Sequence, residues 1–192
     1  MLQYGLSYDW NFTSNIDEQL KIPFPNDKSG STGERAALEI THHQEIVAPI
    51  EIVFSYLNDD EKMKLWMEGL ESIDYPKGKK TENRVGNKFI HTIKEGLNTQ
   101  TYKGIITAYE PPSLLAVKLA HPAHRMEVTY ELTAHGRKTE LDYHCELVFP
   151  SLFHRLMGVS FSWFTKRILK SQMAKLKQLA EQESVRRAPP AV

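Results

Sequence analysis

Eight histidines and a single cysteine, Cys145, are the side chains of this 192-residue sequence best placed to move a proton or hold a metal. His42 and His91 lie in two separate segments, and the alternation of each segment turns both rings inward. An imidazole exchanges protons near neutral pH, as general acid/base chemistry requires. The two are therefore expected to form the polar end of a pocket and are the candidate acid/base pair. His121 and Cys145 share the inward parity. No close-spaced ligand pair appears on that face, however, and His42 and His43 point to opposite sides, so no metal site is expected. Cys145 has no identifiable base beside it and reads as a small buried hydrophobe. Glu127/Glu131 and Asp142/Glu146 resemble paired carboxylates, but their parity interleaves them with Arg125 and Lys138 on a solvated face. The run Lys77–Gly78–Lys79–Lys80 is a charged loop without the spacing of a phosphate cradle, and no cofactor is expected.

The elements that must position these residues are legible as alternations. Leu38, Ile40, His42 and Ile46 share one side of a strand that stops at Ala48–Pro49. Pro49 suits a first helical turn, and Ile50, Val53, Phe54 and Leu57 follow at helical spacing. A second short helix, about 60–69, carries Met63, Trp66, Met67 and Leu70 on one face. Five or six strand-like runs come next. Ile73 and Tyr75 alternate, then Val85, Phe89, His91 and Ile93. The stretch 99–110 has no clear parity, because Ile105 and Ile106 point opposite ways. Leu115, Val117, Leu119 and His121 share a face, as do Met126, Val128, Tyr130 and Leu132, and Leu141, Tyr143, Cys145, Leu147 and Phe149. Short connections between these runs imply antiparallel hairpins with one wet face. Pro150 opens a long helix, about 151–183, marked by Leu152, Leu156, Val159, Trp163, Leu169, Met173, Leu176 and Ala180. This order is an α+β pattern, and the long helix is the only element large enough to cover the sheet.

Composition limits the function classes. Lys plus Arg balances Asp plus Glu at 24 each, so nucleic acid is not an expected partner. One cysteine cannot make a disulfide framework. The sequence has no transmembrane-length apolar run, and its first residues lack the pattern of a signal peptide, so a cytoplasmic location is expected.

The chain resembles the START-like, or SRPBCC, superfamily of helix-grip proteins, which includes polyketide cyclases/dehydrases and lipid-transfer domains. The resemblance rests on EIVAPIEIVFSYLND at 45–59, LWMEGLESIDY at 65–75, GNKF at 86–89, GIITAYEPPSLLAV at 104–117, VTYELTAHGRKTELDYHCEL at 128–147 and a closing helix with MAKLKQLAEQ, in that order. It covers about residues 36–184 and implies seven antiparallel strands wrapped around the C-terminal helix, with a hydrophobic cavity between them. The expected lining is His42, Trp66, Tyr75, Phe89, His91, Val117, Leu119, Tyr130, Tyr143, Cys145, Phe153, Met157 and Phe161. An unpaired buried donor costs about 1–3 kcal/mol, so a ligand oxygen in such a cavity would satisfy the tyrosines. The expected function is binding or transport of a small hydrophobic molecule (a lipid, polyketide or aromatic compound). Two alternatives stand beside it: a cyclase/dehydratase-type enzyme using cavity His and Tyr, and a protein-interaction module without a ligand. No catalytic constellation favours the enzyme.

Two segments fall outside that frame. The aromatic and apolar start of the long helix, FPSLFHRLMGVSFSWFTKR, has the character of a buried helix or of peripheral membrane contact. At the N-terminus, residues 1–35 form an arm and a Pro/Gly-rich linker. Leu2, Tyr4, Leu6, Tyr8, Trp10 and Phe12 alternate strictly with small or polar residues. Such a face is expected to dock on its own domain or on a second subunit as a homodimer contact. Residues 185–192 are expected to be a disordered tail.

Overall fold

The alternation that begins at Ala37 gives a first strand, β1 (Ala37–Ile46), in a computed structural model that describes residues 37–122, 124–149 and 152–187, and in the last stretch the side chains from 167 onward. After β1 come two short helices, α1 (Ile50–Asn58) and α2 (Asp60–Trp66). Asp59 ends the first and caps the second, its carboxylate accepting from the backbone N–H groups of Glu61 and Lys62 at 3.0 Å each. Six further strands follow: β2 (Leu70–Asp74), β3 (Lys88–Glu95), β4 (Asn98–Glu110), β5 (Leu114–His121), β6 (His124–His135) and β7 (Lys138–Val148). Helix α3 (Leu152–Arg187) closes the chain.

All seven strands form one antiparallel sheet in the order β1-β7-β6-β5-β4-β3-β2. Consecutive strands from β2 to β7 are neighbours, as hairpins require, and β1 closes against β7. The two-residue side-chain period then fixes a concave face and a convex one. The C-terminal half of α3 packs on α1, α2 and β1. There the core is dry: Ile46, Val53, Leu141, Met173, Leu176 and Ala180 are all 0% exposed. A polar clamp seals this junction from outside. Lys62 Nζ donates to both oxygens of Glu183 at 2.9 and 2.8 Å and to Ser55 Oγ at 2.8 Å, while Arg187 pairs with Glu183 at 2.6 Å.

Two readings differ from expectation, Val85 and the end of the last helix, and a third, the unclear parity of 99–110, finds its cause. Val85 is exposed in the turn before β3 instead of facing the core, because the chain bends through Arg84–Asn87, where Asn87 N–H donates to the Arg84 carbonyl. β4 carries an irregularity between Ile106 and Ala108, so its side chains change parity midway. Helix α3 runs on to Arg187, past the expected start of the tail, held by the Arg187–Glu183 pair. The arm and linker at 1–35, and residues 188–192, lie outside the described residues. Among the described residues no helix is long and apolar enough to cross a membrane.

Candidate functional site

Register converts the concave face into rows. One row runs from Phe89 across Gly104, Leu119, Met126 and Leu147 to Leu38. The next runs through Ile106, Val117, Val128 and Cys145 to Ile40, and a third through Tyr109, Leu115, Tyr130 and Tyr143 to His42. Gly104 belongs in the first row for a steric reason: a Cβ there would overlap the Phe89 ring, so the glycine lets that ring lie across β4. Along these rows Leu38, Val117, Leu119, Met126 and Tyr143 are only half-buried, although they pack against the core cluster.

Polar groups on this face lie in two places. In the third row the Tyr130 and Tyr143 rings meet edge to face, centroids 5.3 Å apart. Burial pushes both phenols well above their ordinary range, so they are neutral hydroxyls at any physiological pH. Burial likewise lifts the Cys145 thiol to about 11, which leaves it a protonated neighbour of Tyr143 and not a thiolate. At the other end of the strands, Tyr102 stacks on His121 with centroids 4.8 Å apart, and His124 lies 5.1 Å from His121. The Tyr102 hydroxyl donates to Glu95 at 3.0 Å, and His121 Nε2 is 3.1 Å from Gln100 Oε1. Burial depresses His121, with Glu95 pulling the other way.

His91 sits between β2 and β4, 8% exposed, with its ring 4.6 Å from that of Phe89. Burial brings its pKa down to about 4 against a small opposing pull from Asp60, so it is neutral at pH 7. Beside it lies a half-buried polar node. Asp60 accepts from the Tyr75 hydroxyl and from Lys79, both at 2.9 Å. Tyr75 in turn accepts from Arg84 at 2.8 Å, and Arg84 also donates to Asn58. Arg84 is 5% exposed, and its Nε has no partner among the described residues.

The structure thus gathers Phe89, His91, Val117, Leu119, Tyr130, Tyr143 and Cys145 on one concave face. It does not bring His42 and His91 together. β7, β6, β5 and β4 lie between their strands, a separation of roughly 24 Å at 4.8 Å per strand along the sheet. His42 lies beside Gln44 Oε1 at 3.4 Å and lines a groove on the outer flank of α3. Trp66 is not a cavity wall: it is 1% exposed, and its indole N–H donates to the Tyr56 carbonyl at 2.8 Å, locking α2 to α1. Tyr75 faces inward, but its hydroxyl is committed to Asp60 and Arg84. Glu146, expected in solvent, is 9% exposed on the convex face beside Glu127 and Glu39. The side chains of Phe153, Met157 and Phe161 lie outside the described residues. Sequence reasoning missed Leu38, Met126, Tyr102 and Arg84 as neighbours of the site. The first two were legible from their parity, whereas Arg84 sits in a loop that carries no periodic signal. Among the described residues no group of three or more His, Cys, Asp or Glu could hold a metal.

Comparison with known proteins fits this geometry. Residues 37–181 match the family model described as polyketide cyclase / dehydrase and lipid transport. No curated protein matches the chain. Among solved structures, the Zhui aromatase/cyclase from Streptomyces sp. R1128 is similar at a TM-score of 0.64 and 14% identity, over 82% of this chain and 100% of that one. SA2116 from Staphylococcus aureus, titled a protein of unknown function, has a TM-score of 0.62 at 13% identity, over 79% and 98%. Protein CV1439 from Chromobacterium violaceum has a TM-score of 0.58 at 16% identity, over 75% and 98%. At these identities the likeness is one of fold.

Proposed function

We propose that this chain, which belongs to the polyketide cyclase / dehydrase and lipid transport family over residues 37–181, binds one small hydrophobic molecule against the concave face of its sheet. The observation that carries the reading is the half-buried middle of that face. Leu38, Val117, Leu119 and Met126 are apolar and half-buried beside a core whose other end is 0% exposed. A bound apolar molecule removes about 25 cal/mol for each Å² of such surface taken from water. Tyr130 and Tyr143 stand on the same face as neutral phenols, Tyr143 hydrogen-bonded to the Cys145 thiol, and suit one or two ligand oxygens as hydrogen-bond partners.

The same protonation states weigh against acid/base catalysis. A phenol pushed far above its ordinary range is a poor acid, and an imidazole with a pKa of about 4 is a weak base. Native mass spectrometry of freshly purified protein, followed by solvent extraction, tests the reading. One apolar molecule per chain is the expected result. Ligand-free protein that also fails to take up fatty acids or polycyclic aromatic compounds would overturn it. Turnover of a bound polyketide, with loss of water, would move the assignment to a cyclase or dehydratase.

A further inference from the structure

We propose that residues 2–12 add to the free edge of β1 as a further strand and set their apolar side chains in the groove between β1 and the C-terminal half of α3. The geometry of the β1 edge is the starting point. Val47 N–H donates to Glu181 Oε1 at 2.9 Å, and the Glu45 carbonyl accepts from Lys177 Nζ at 2.6 Å. Both backbone groups therefore point away from β7, toward the edge where, among the described residues, no strand pairs. In an antiparallel strand the backbone groups of alternate residues turn the same way. Those of Glu39, Thr41 and His43 must face that edge too, while those of Ile40 and His42 face β7. Side chains of α3 thus satisfy the end of the edge at 45–47, and 39–43 presents a row of donors and acceptors of the kind that recruits another strand.

Beside this row lies a groove of about 900 Å³, lined by His42, Gln44, Lys170, Ala174, Gln178 and Val185 among others. Val185, 76% exposed, is among the most exposed large apolar side chains of the described residues. An added strand would place every second side chain in this groove. Residues 2–12 carry that pattern: Leu2, Tyr4, Leu6, Tyr8, Trp10 and Phe12 on one side, small or polar residues on the other. The first twenty residues contain no Lys or Arg, so the segment brings no positive charge beside Lys170, Lys177 and Arg186 of the groove. The segment also leads directly into β1, and residues 13–36 can span up to about 80 Å, ample to turn back along a ten-residue strand.

Hydrogen exchange of single amides tests the proposal on the full-length chain and on a chain lacking residues 1–30. The amides of Glu39, Thr41 and His43 should be protected in the full chain and exchange at least tenfold faster after the deletion. Those of Ile40 and His42, which face β7, should not change. A full-length Trp10→Asp variant, which puts a charge into the groove, should show the same selective loss. Edge amides unprotected in the full chain overturn the proposal. So does protection that survives both changes, which would assign the edge to a second copy if it rises with protein concentration. Exchange that rises equally at both sets of amides overturns it as well.

Discussion

The two ends of the concave face are built from similar residues to opposite effect. Where β1 runs into α1, Ile46, Leu141, Met173, Leu176 and Ala180 interlock at 0% exposure, and the Lys62–Glu183 clamp covers the seam. Across the middle rows Leu38, Val117, Leu119 and Met126 stay half-buried on the same sheet. Hydrophobicity alone does not distinguish the ends, since Leu141 and Leu119 are the same residue at the same inward parity. Placement does: the C-terminal half of α3 fills one end with its own stripe. The lesson is that one end supplies stability, whereas the other keeps the partly exposed apolar surface that the proposed ligand would cover.

That division predicts unequal costs for equal truncations. Leu176→Ala removes a fully enclosed side chain and should cost about 3–5 kcal/mol, a fall in Tm on the order of 10 °C for a domain of this size. Leu119→Ala should cost no more than about 1 kcal/mol and act instead on ligand affinity. Thermal melts of both variants decide, and equal losses would erase the distinction.

A second prediction concerns pH. His91 has a folded-state pKa of about 4 against an ordinary 6.5, so the unfolded chain binds the extra proton between those values. Its contribution to stability is complete above about pH 6.5 and is lost as pH falls toward 4, on the order of 3 kcal/mol in all. His91→Gln should flatten that part of the stability profile measured by denaturant titration. A profile as steep as the parent's would place the burden on other groups.

The smallest effect lies on the convex face. Burial, then the charges of Glu127 and Glu39, raise the Glu146 pKa above 4.5, so its ionised form opposes folding at neutral pH. Glu146→Gln should stabilise the protein at pH 7 by up to about 1 kcal/mol. The gain should vanish below about pH 4.5, where the carboxyl is protonated in both states. A loss of Tm at pH 7 would mean that the carboxylate has a favourable partner.

Much of the fold was legible because each strand keeps one wet and one apolar side. β6 and β7 show it most clearly, with Met126, Val128, Tyr130 and Leu132 beside Leu141, Tyr143, Cys145 and Leu147. β4 resisted reading because its irregularity after Ile106 shifts the parity within one run, and that shift also concealed Tyr102. The site was legible only as a face. Parity says which way His42 and His91 point, but strand order puts them on opposite flanks, and strand order is a long-range property that alternation does not encode. Trp66 misled for a related reason. Its helical spacing marks it as buried, and only the bond to the Tyr56 carbonyl shows that it is buried between helices.

The claim that the middle of the concave face is a binding surface can be tested with a neutral fluorescent probe, N-phenyl-1-naphthylamine. Titrated into the full-length protein, it should bind saturably, one molecule per chain. Met126→Trp, which fills the row between Leu119 and Leu147, should weaken that binding at least tenfold while the far-UV circular dichroism is unchanged. Absence of saturable binding, or an affinity that Met126→Trp leaves untouched, would contradict it.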